Sequence, residues 1–241
     1  MAEKLPRSWL LVAASKPDDV AAALKSGADV VVLDLVELVA EKDKSSTRES
    51  MRRNIEAIAA EGVRVYAQVD PQSLAGDIGA TAWPGLSGIV ISRVERAEEI
   101  RAAAWLLECF EKERHIASGN LRIVAALETA KGNHAAHDIL TASDRVWGAT
   151  LGRADLIMDL RPEPSDEIHL MPYLMQRLII VAGAAGVTPI GAWWRAPDRG
   201  LLATPENTYK AARRGRAIGF KGAMCLRPDQ VEPLNRAFAA H

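Results

Sequence analysis

Short apolar runs recur along this chain at intervals of one strand-helix unit, and they lack polar alternation. A strand with one wet face alternates apolar with polar residues. An unbroken run of Val, Ile, Leu and Ala suits a strand covered on both sides, as in a parallel sheet wrapped by helices. The clearest case is the run 123–127, which ends abruptly on Glu128. Strands are predicted at 9–15, 29–35, 64–69, 89–93, 123–127, 145–152, 187–190 and 222–226. Helical patterns over 44–61, 95–113, 166–185, 205–218 and 229–239 lie between or after them. An earlier helix opens at Lys16-Pro17-Asp18-Asp19 and stops at Gly27. The segment 70–88, rich in Gly and Pro, is predicted to be the longest irregular loop.

Polar residues or tryptophan stand where successive strands end, at Asp34, Gln68, Arg93, Glu128, Asp155, Trp193 and Arg227. Eight strands, each followed by a helix, in a chain of 241 residues predict an α/β fold, a (β/α)₈ TIM barrel, as a single domain over residues 1–241. The competing open doubly wound sheet is weakened because no Gly-x-Gly-x-x-Gly turn follows strand one. In a barrel the strand ends line the active site. Glu128 and Asp155 lie 27 positions apart on consecutive strand ends. Side by side, they suit a hard divalent cation such as magnesium, which one or two carboxylates hold while water or substrate oxygens complete the shell. Each acid also fits a plainer role as a helix cap.

Composition narrows the partners. Lys and Arg number 30 against 31 Asp and Glu, so there is no global electrostatic case for nucleic acid or an anionic membrane. Cys109 and Cys225 show no metal-ligand spacing, which fits buried thiols in a reducing cytoplasm. No apolar stretch is long enough to span a membrane.

Other residues invite two readings. Asp34 and Glu37 are placed to orient water or move protons, or to form a solvated loop. Arg93 is a cation for an anionic substrate or half of a salt bridge. His134, His137 and Asp138 have metal-like spacing but read better as a polar face of one outer helix. Of Trp193 and Trp194, adjacent on an extended segment, one at most faces a pocket.

Five stretches stand in order along the chain: Arg7-Ser8-Trp9-Leu10-Leu11-Val12, the segment 26–35, Ala126-Leu127-Glu128-Thr129-Ala130-Lys131-Gly132, Gly152-Arg153-Ala154-Asp155-Leu156, and the ending from Gly219 to Val231. In them the chain resembles the citrate lyase beta-subunit-like branch of the HpcH/HpaI aldolase family. The resemblance implies a TIM barrel that is a homo-oligomer, trimer or hexamer, with magnesium on Glu128 and Asp155. It also implies carbon-carbon lyase chemistry on a small carboxylic acid or its coenzyme A thioester. Gln68, Arg93, Gly152 and Arg153 would then contact substrate, and Asp34 and Glu37 would manage protons. Three departures stand out. Gln68 occupies the place of the family's strand-three arginine, the acidic motif after strand two reads Asp34-Leu35-Val36-Glu37, and Leu226-Arg227-Pro228 replaces Ile-His-Pro. Glutamine donates hydrogen bonds but brings no charge. The resemblance therefore leaves open a catalytically degenerate binding or regulatory subunit, or a thioester hydrolase.

Overall fold

The computed structural model describes residues 5–152, 156, 159–160, 171–192 and 204–239. Eight parallel strands close into a barrel in sequence order: Ser8–Ala13 (β1), Val30–Asp34 (β2), Arg64–Val69 (β3), Leu86–Ile91 (β4), Arg122–Ala126 (β5), Val146–Thr150 (β6), Thr188–Ala192 (β7) and Gly222–Cys225 (β8). Closure runs from β8 back to β1, with Trp9 beside Met224 and Leu10 beside Cys225. Around it lie helices Pro17–Lys25 (α1), Lys44–Ala60 (α2), Leu74–Thr81 (α3), Ala97–Glu113 (α4), Ala130–His134 (α5), Ala136–Leu140 (α6), Met171–Ala185 (α7), Pro205–Ile218 (α8) and Val231–Ala237 (α9). The (β/α)₈ expectation holds, and the strand edges fall within three residues of their predicted positions.

Alternation along each strand splits the core in two. Leu10, Val12, Val31, Leu33, Val65, Ala67, Ile89, Ile91, Ile123 and Ala125 face the helices in one apolar cluster. Trp9, Leu11, Val30, Val32, Tyr66, Val90, Val124, Ala126, Ile190 and Met224 form the other, inside the barrel. The strands lack sequence alternation because both of these faces are dry. Near the amino ends of the strands the interior is plugged by aromatics. Trp9 lies with its ring centroid 4.8 Å from Tyr66 and 5.8 Å from Trp147. Gly88 leaves room for this plug, since a Cβ there would lie 2.7 Å from Tyr66 Cε1 and 2.3 Å from the Arg122 carbonyl oxygen. The barrel is thus filled from below and its polar side chains collect above.

Two polar clusters brace the barrel away from its mouth. Arg7 makes a forked contact with Asp29, both guanidinium bonds at 2.8 Å. Ser8 Oγ donates to Asn235 Oδ1 at 2.7 Å, and Asn235 Nδ2 donates to the Gly27 carbonyl at 2.9 Å. These bonds tie β1, the start of β2 and α9 together. The second cluster centres on Glu111 near the end of α4, which is 1% exposed. Its oxygens accept from Arg145 Nη1 and Nη2 at 2.8 and 2.7 Å, and from the amides of Gly119 and Leu121 at 2.9 and 2.8 Å. Burial alone would raise the Glu111 carboxyl's pKa, but Arg145 and the two amides outweigh it and hold it below the usual range.

Three sequence expectations need correction. Cys225 is buried but Cys109, on α4, is exposed, so only one of the two thiols is a core residue. Residues 70–88 are not one irregular loop. A 3-10 turn at Pro71–Ser73 leads into α3, and strand pairing starts at Leu86. Burial of Leu74 and Ile78, one helical turn apart, outweighs the weak helix propensity of Gly76 and Gly79. His134 and His137 do not share one helix, because the chain breaks at Ala135 between α5 and α6. Both histidines and Asp138 are exposed there, as a polar face requires. Arg177 of α7 donates to the carbonyls of Asn133 and His134 at that break. The start of the helix predicted over 166–185 lies outside the described residues.

Candidate functional site

Extending the inward phase of each strand to its carboxyl end identifies what opens into the barrel mouth. Val30 and Val32 lead to Asp34, Tyr66 leads to Gln68, Val124 and Ala126 lead to Glu128, and Thr150 leads to Gly152. Asp34 and Gln68 are direct neighbours across β2 and β3. All of these residues are buried.

Glu128 is held from two sides. Its Oε2 accepts the main-chain N–H of Arg93 at 2.9 Å. On the other side Gly152 lies against it, where a Cβ would stand 2.5 Å from Glu128 Oε1 and 2.7 Å from its Cγ. The carboxylate thus occupies the space a side chain at position 152 would fill. Thr129, directly after it, caps α5 by accepting from the Gly132 amide at 3.0 Å, so the chain turns into a helix as soon as the acid is delivered.

Arg93 falls out of the inward phase. Its φ is +48°, a left-handed conformation that costs a non-glycine residue about 1–2 kcal/mol. The turn aims its amide at Glu128, while its guanidinium reaches Asp70 Oδ2 at 3.1 Å. Asp70 is itself fixed, its amide donating to Asp77 Oδ2 at 3.1 Å and its Oδ1 accepting from the Gln72 amide at 2.9 Å. Asp77 in turn pairs with Arg48 of α2 at 2.7 Å.

Asp34 is fully buried and its two oxygens accept the amides of Val36, Glu37 and Leu38, the first two at 2.8 and 3.0 Å. Burial pushes its carboxyl above the ordinary range against the pull of those amides. Its side chain shapes the loop that follows β2. Glu37, exposed on that loop, accepts a bond from Gln68 Nε2 at 3.4 Å. The structure therefore brings together Glu37 with Gln68, and Glu128 with both Arg93 and Gly152. Arg227, by contrast, turns its guanidinium to Asp229, with Nε 3.0 Å from Oδ1. Arg153, Asp155, Trp193 and Trp194 lie outside the described residues.

Two participants escape sequence reasoning. Asp70 sits in the segment read as loop, and only the fold brings it to Arg93. Thr150 Oγ1 is buried inside the barrel with no hydrogen-bond partner among the described residues. No local pattern marks either residue. Among the described residues no three His, Cys, Asp or Glu side chains gather into a metal cage. Glu128 still suits a hard cation, being a buried carboxylate with one oxygen anchored and a cradle kept open by glycine. No helix among the described residues is long and apolar enough to cross a membrane.

The model of the HpcH/HpaI aldolase/citrate lyase family matches residues 7–228. Citrate lyase subunit beta of Leuconostoc mesenteroides is 26% identical over 240 residues, spanning 98% of this chain and 78% of that protein. A (3S)-malyl-CoA thioesterase of Cereibacter sphaeroides is 28% identical over 240 residues, 97% of this chain and 77% of its own length. Among solved structures, protein CitE of Mycobacterium tuberculosis in complex with magnesium and acetoacetate superposes with a TM-score of 0.76 at 23% identity. That match covers 100% of this chain and 93% of CitE, and it shows the fold.

Proposed function

Since the chain belongs to the HpcH/HpaI aldolase/citrate lyase family, we propose that it is a magnesium-dependent carbon-carbon lyase acting on a small hydroxy or keto acid or its coenzyme A thioester. The observation that carries this reading is the preset Glu128 carboxylate at the barrel mouth, anchored by the Arg93 amide and seated against Gly152. Glu128, together with Asp155, would hold the cation. When bound, magnesium supplies Lewis acidity to substrate oxygens. Gln68 donates a hydrogen bond to an oxygen on which charge develops as the carbon-carbon bond breaks. Glu37, beside Gln68 on an exposed loop, takes the proton of the substrate hydroxyl and returns it to the enolate carbon that cleavage leaves. Asp34 keeps its amide bonds and holds that loop in place. The assignment of Asp34 is thus narrower than proton transfer.

Thioester hydrolysis is the second reading, favoured by the likeness to a (3S)-malyl-CoA thioesterase and by the neutral Gln68. Under it, Glu37 would take a proton from water attacking the thioester carbon. Calorimetric titration of oxalate with and without magnesium tests the site, and magnesium-dependent binding is expected. Incubation with malyl-CoA, citramalyl-CoA or a citryl thioester then separates the two chemistries. A lyase releases a shorter acyl-CoA and a keto acid, whereas a hydrolase releases free thiol. Gln68→Arg is expected to raise lyase turnover by about tenfold by adding charge where the oxyanion forms. Neither oxalate binding nor turnover in either protein would replace both readings with a non-catalytic binding role.

A further inference from the structure

We propose that Arg93 and Asp70 form a clamp that positions Glu128, with the arginine acting through its main chain while its guanidinium locks the turn. This deepens the magnesium-site reading and rests on it. The left-handed turn at Arg93 is unfavourable for any side-chain-bearing residue, so something must hold it. The ion pair from its guanidinium to Asp70 does so at 3.1 Å. Asp70 resists being dragged along, because its amide and one oxygen are already bound to Asp77 and to the Gln72 amide. The chain of contacts runs from Arg48 on α2 through Asp77 and Asp70 to Arg93, and ends on Glu128 Oε2. On this account the Arg93 guanidinium, 41% exposed, is a latch and does not contact substrate.

Glycine separates the two roles, since it adopts φ near +48° without a latch. Arg93→Ala and Asp70→Asn are expected to weaken magnesium binding, read by calorimetry with oxalate present, by about tenfold. Arg93→Gly is expected to stay within about twofold of the parent protein. A loss in Arg93→Gly as large as in Arg93→Ala would overturn the clamp and make the guanidinium a direct ligand contact. A second readout needs no magnesium. In ¹⁵N spectra the Arg93 amide is expected downfield and protected from exchange, with both properties lost in Glu128→Ala and Arg93→Ala and kept in Arg93→Gly. If the parent protein binds no magnesium, the lyase reading falls while these spectra still decide the clamp. An unprotected Arg93 amide in the parent protein would overturn it outright.

Discussion

Gly152→Ala is expected to reduce magnesium-dependent oxalate binding by about 10- to 100-fold while leaving the fold intact, because disturbing the groups that orient a metal ligand commonly costs that much in metal affinity. The three atoms nearest to the added Cβ all belong to the Glu128 side chain, at 2.5 Å for Oε1, 2.7 Å for Cγ and 2.8 Å for Cδ. No carbon tolerates such contacts, so the carboxylate swings away and its bond to the Arg93 amide breaks. The strain falls on a flexible side chain, so stability changes little. At Gly88 the same substitution would drive a Cβ to 2.3 Å from a main-chain carbonyl, where no rotamer change relieves it. Glu128→Gln, which keeps the shape and removes the charge, is the control and should lose binding as fully. The measurement is calorimetry paired with thermal melting. Unchanged oxalate affinity in Gly152→Ala would mean that Glu128 need not stay where it is.

The second large effect concerns stability. Glu111→Gln leaves the Arg145 guanidinium, 13% exposed, without its counter-charge, a loss of about 3 kcal/mol, at the low end for a broken buried pair. For a chain of this size that lowers the melting temperature by roughly 10 °C at neutral pH. Because the folded state holds the Glu111 carboxyl below its ordinary value, its contribution is full above the unfolded pKa of about 4.3. It fades as pH falls through the lower folded value. The gap between parent and variant should therefore narrow on acidification, read by calorimetric melting from pH 7 downward. A constant gap across that range would show that Glu111 acts by packing alone.

The lyase and clamp experiments read different parts of one site. Oxalate binding asks whether the mouth chelates a keto acid, and the Arg93 variants ask what holds its carboxylate still. Gln68→Arg asks whether the missing positive charge limits turnover.

Much of this was legible in the residues themselves. Unbroken apolar runs such as Ile123–Leu127 are a consequence of two dry faces, and with helical stretches between them they specify a parallel sheet wrapped by helices before any contact is known. The same runs place Glu128, Gln68 and Asp34 at strand ends, because a strand's inward phase is read by counting in twos. Local chemistry also marks helix limits, as with Pro205 opening α8 and Gly219, at φ +124°, closing it. The tertiary structure alone decided what those strand-end residues touch. Arg93 reads as a substrate cation or as half of a salt bridge, and only the fold supplies Asp70, 23 positions away, to its guanidinium and Glu128, 35 positions away, to its amide. Asp34 reads as a group that orients water or moves protons, or as part of a solvated loop, and the fold alone shows that the amides of Val36, Glu37 and Leu38 meet its oxygens. The helix Leu74–Thr81 is invisible behind its glycines until burial of Leu74 and Ile78 supplies what propensity lacks. Strand periodicity is a local property that the sequence carries residue by residue. Which partner satisfies a buried polar atom depends on chain segments that only closure of the barrel brings within 3 Å, a typical hydrogen-bond distance of about that length.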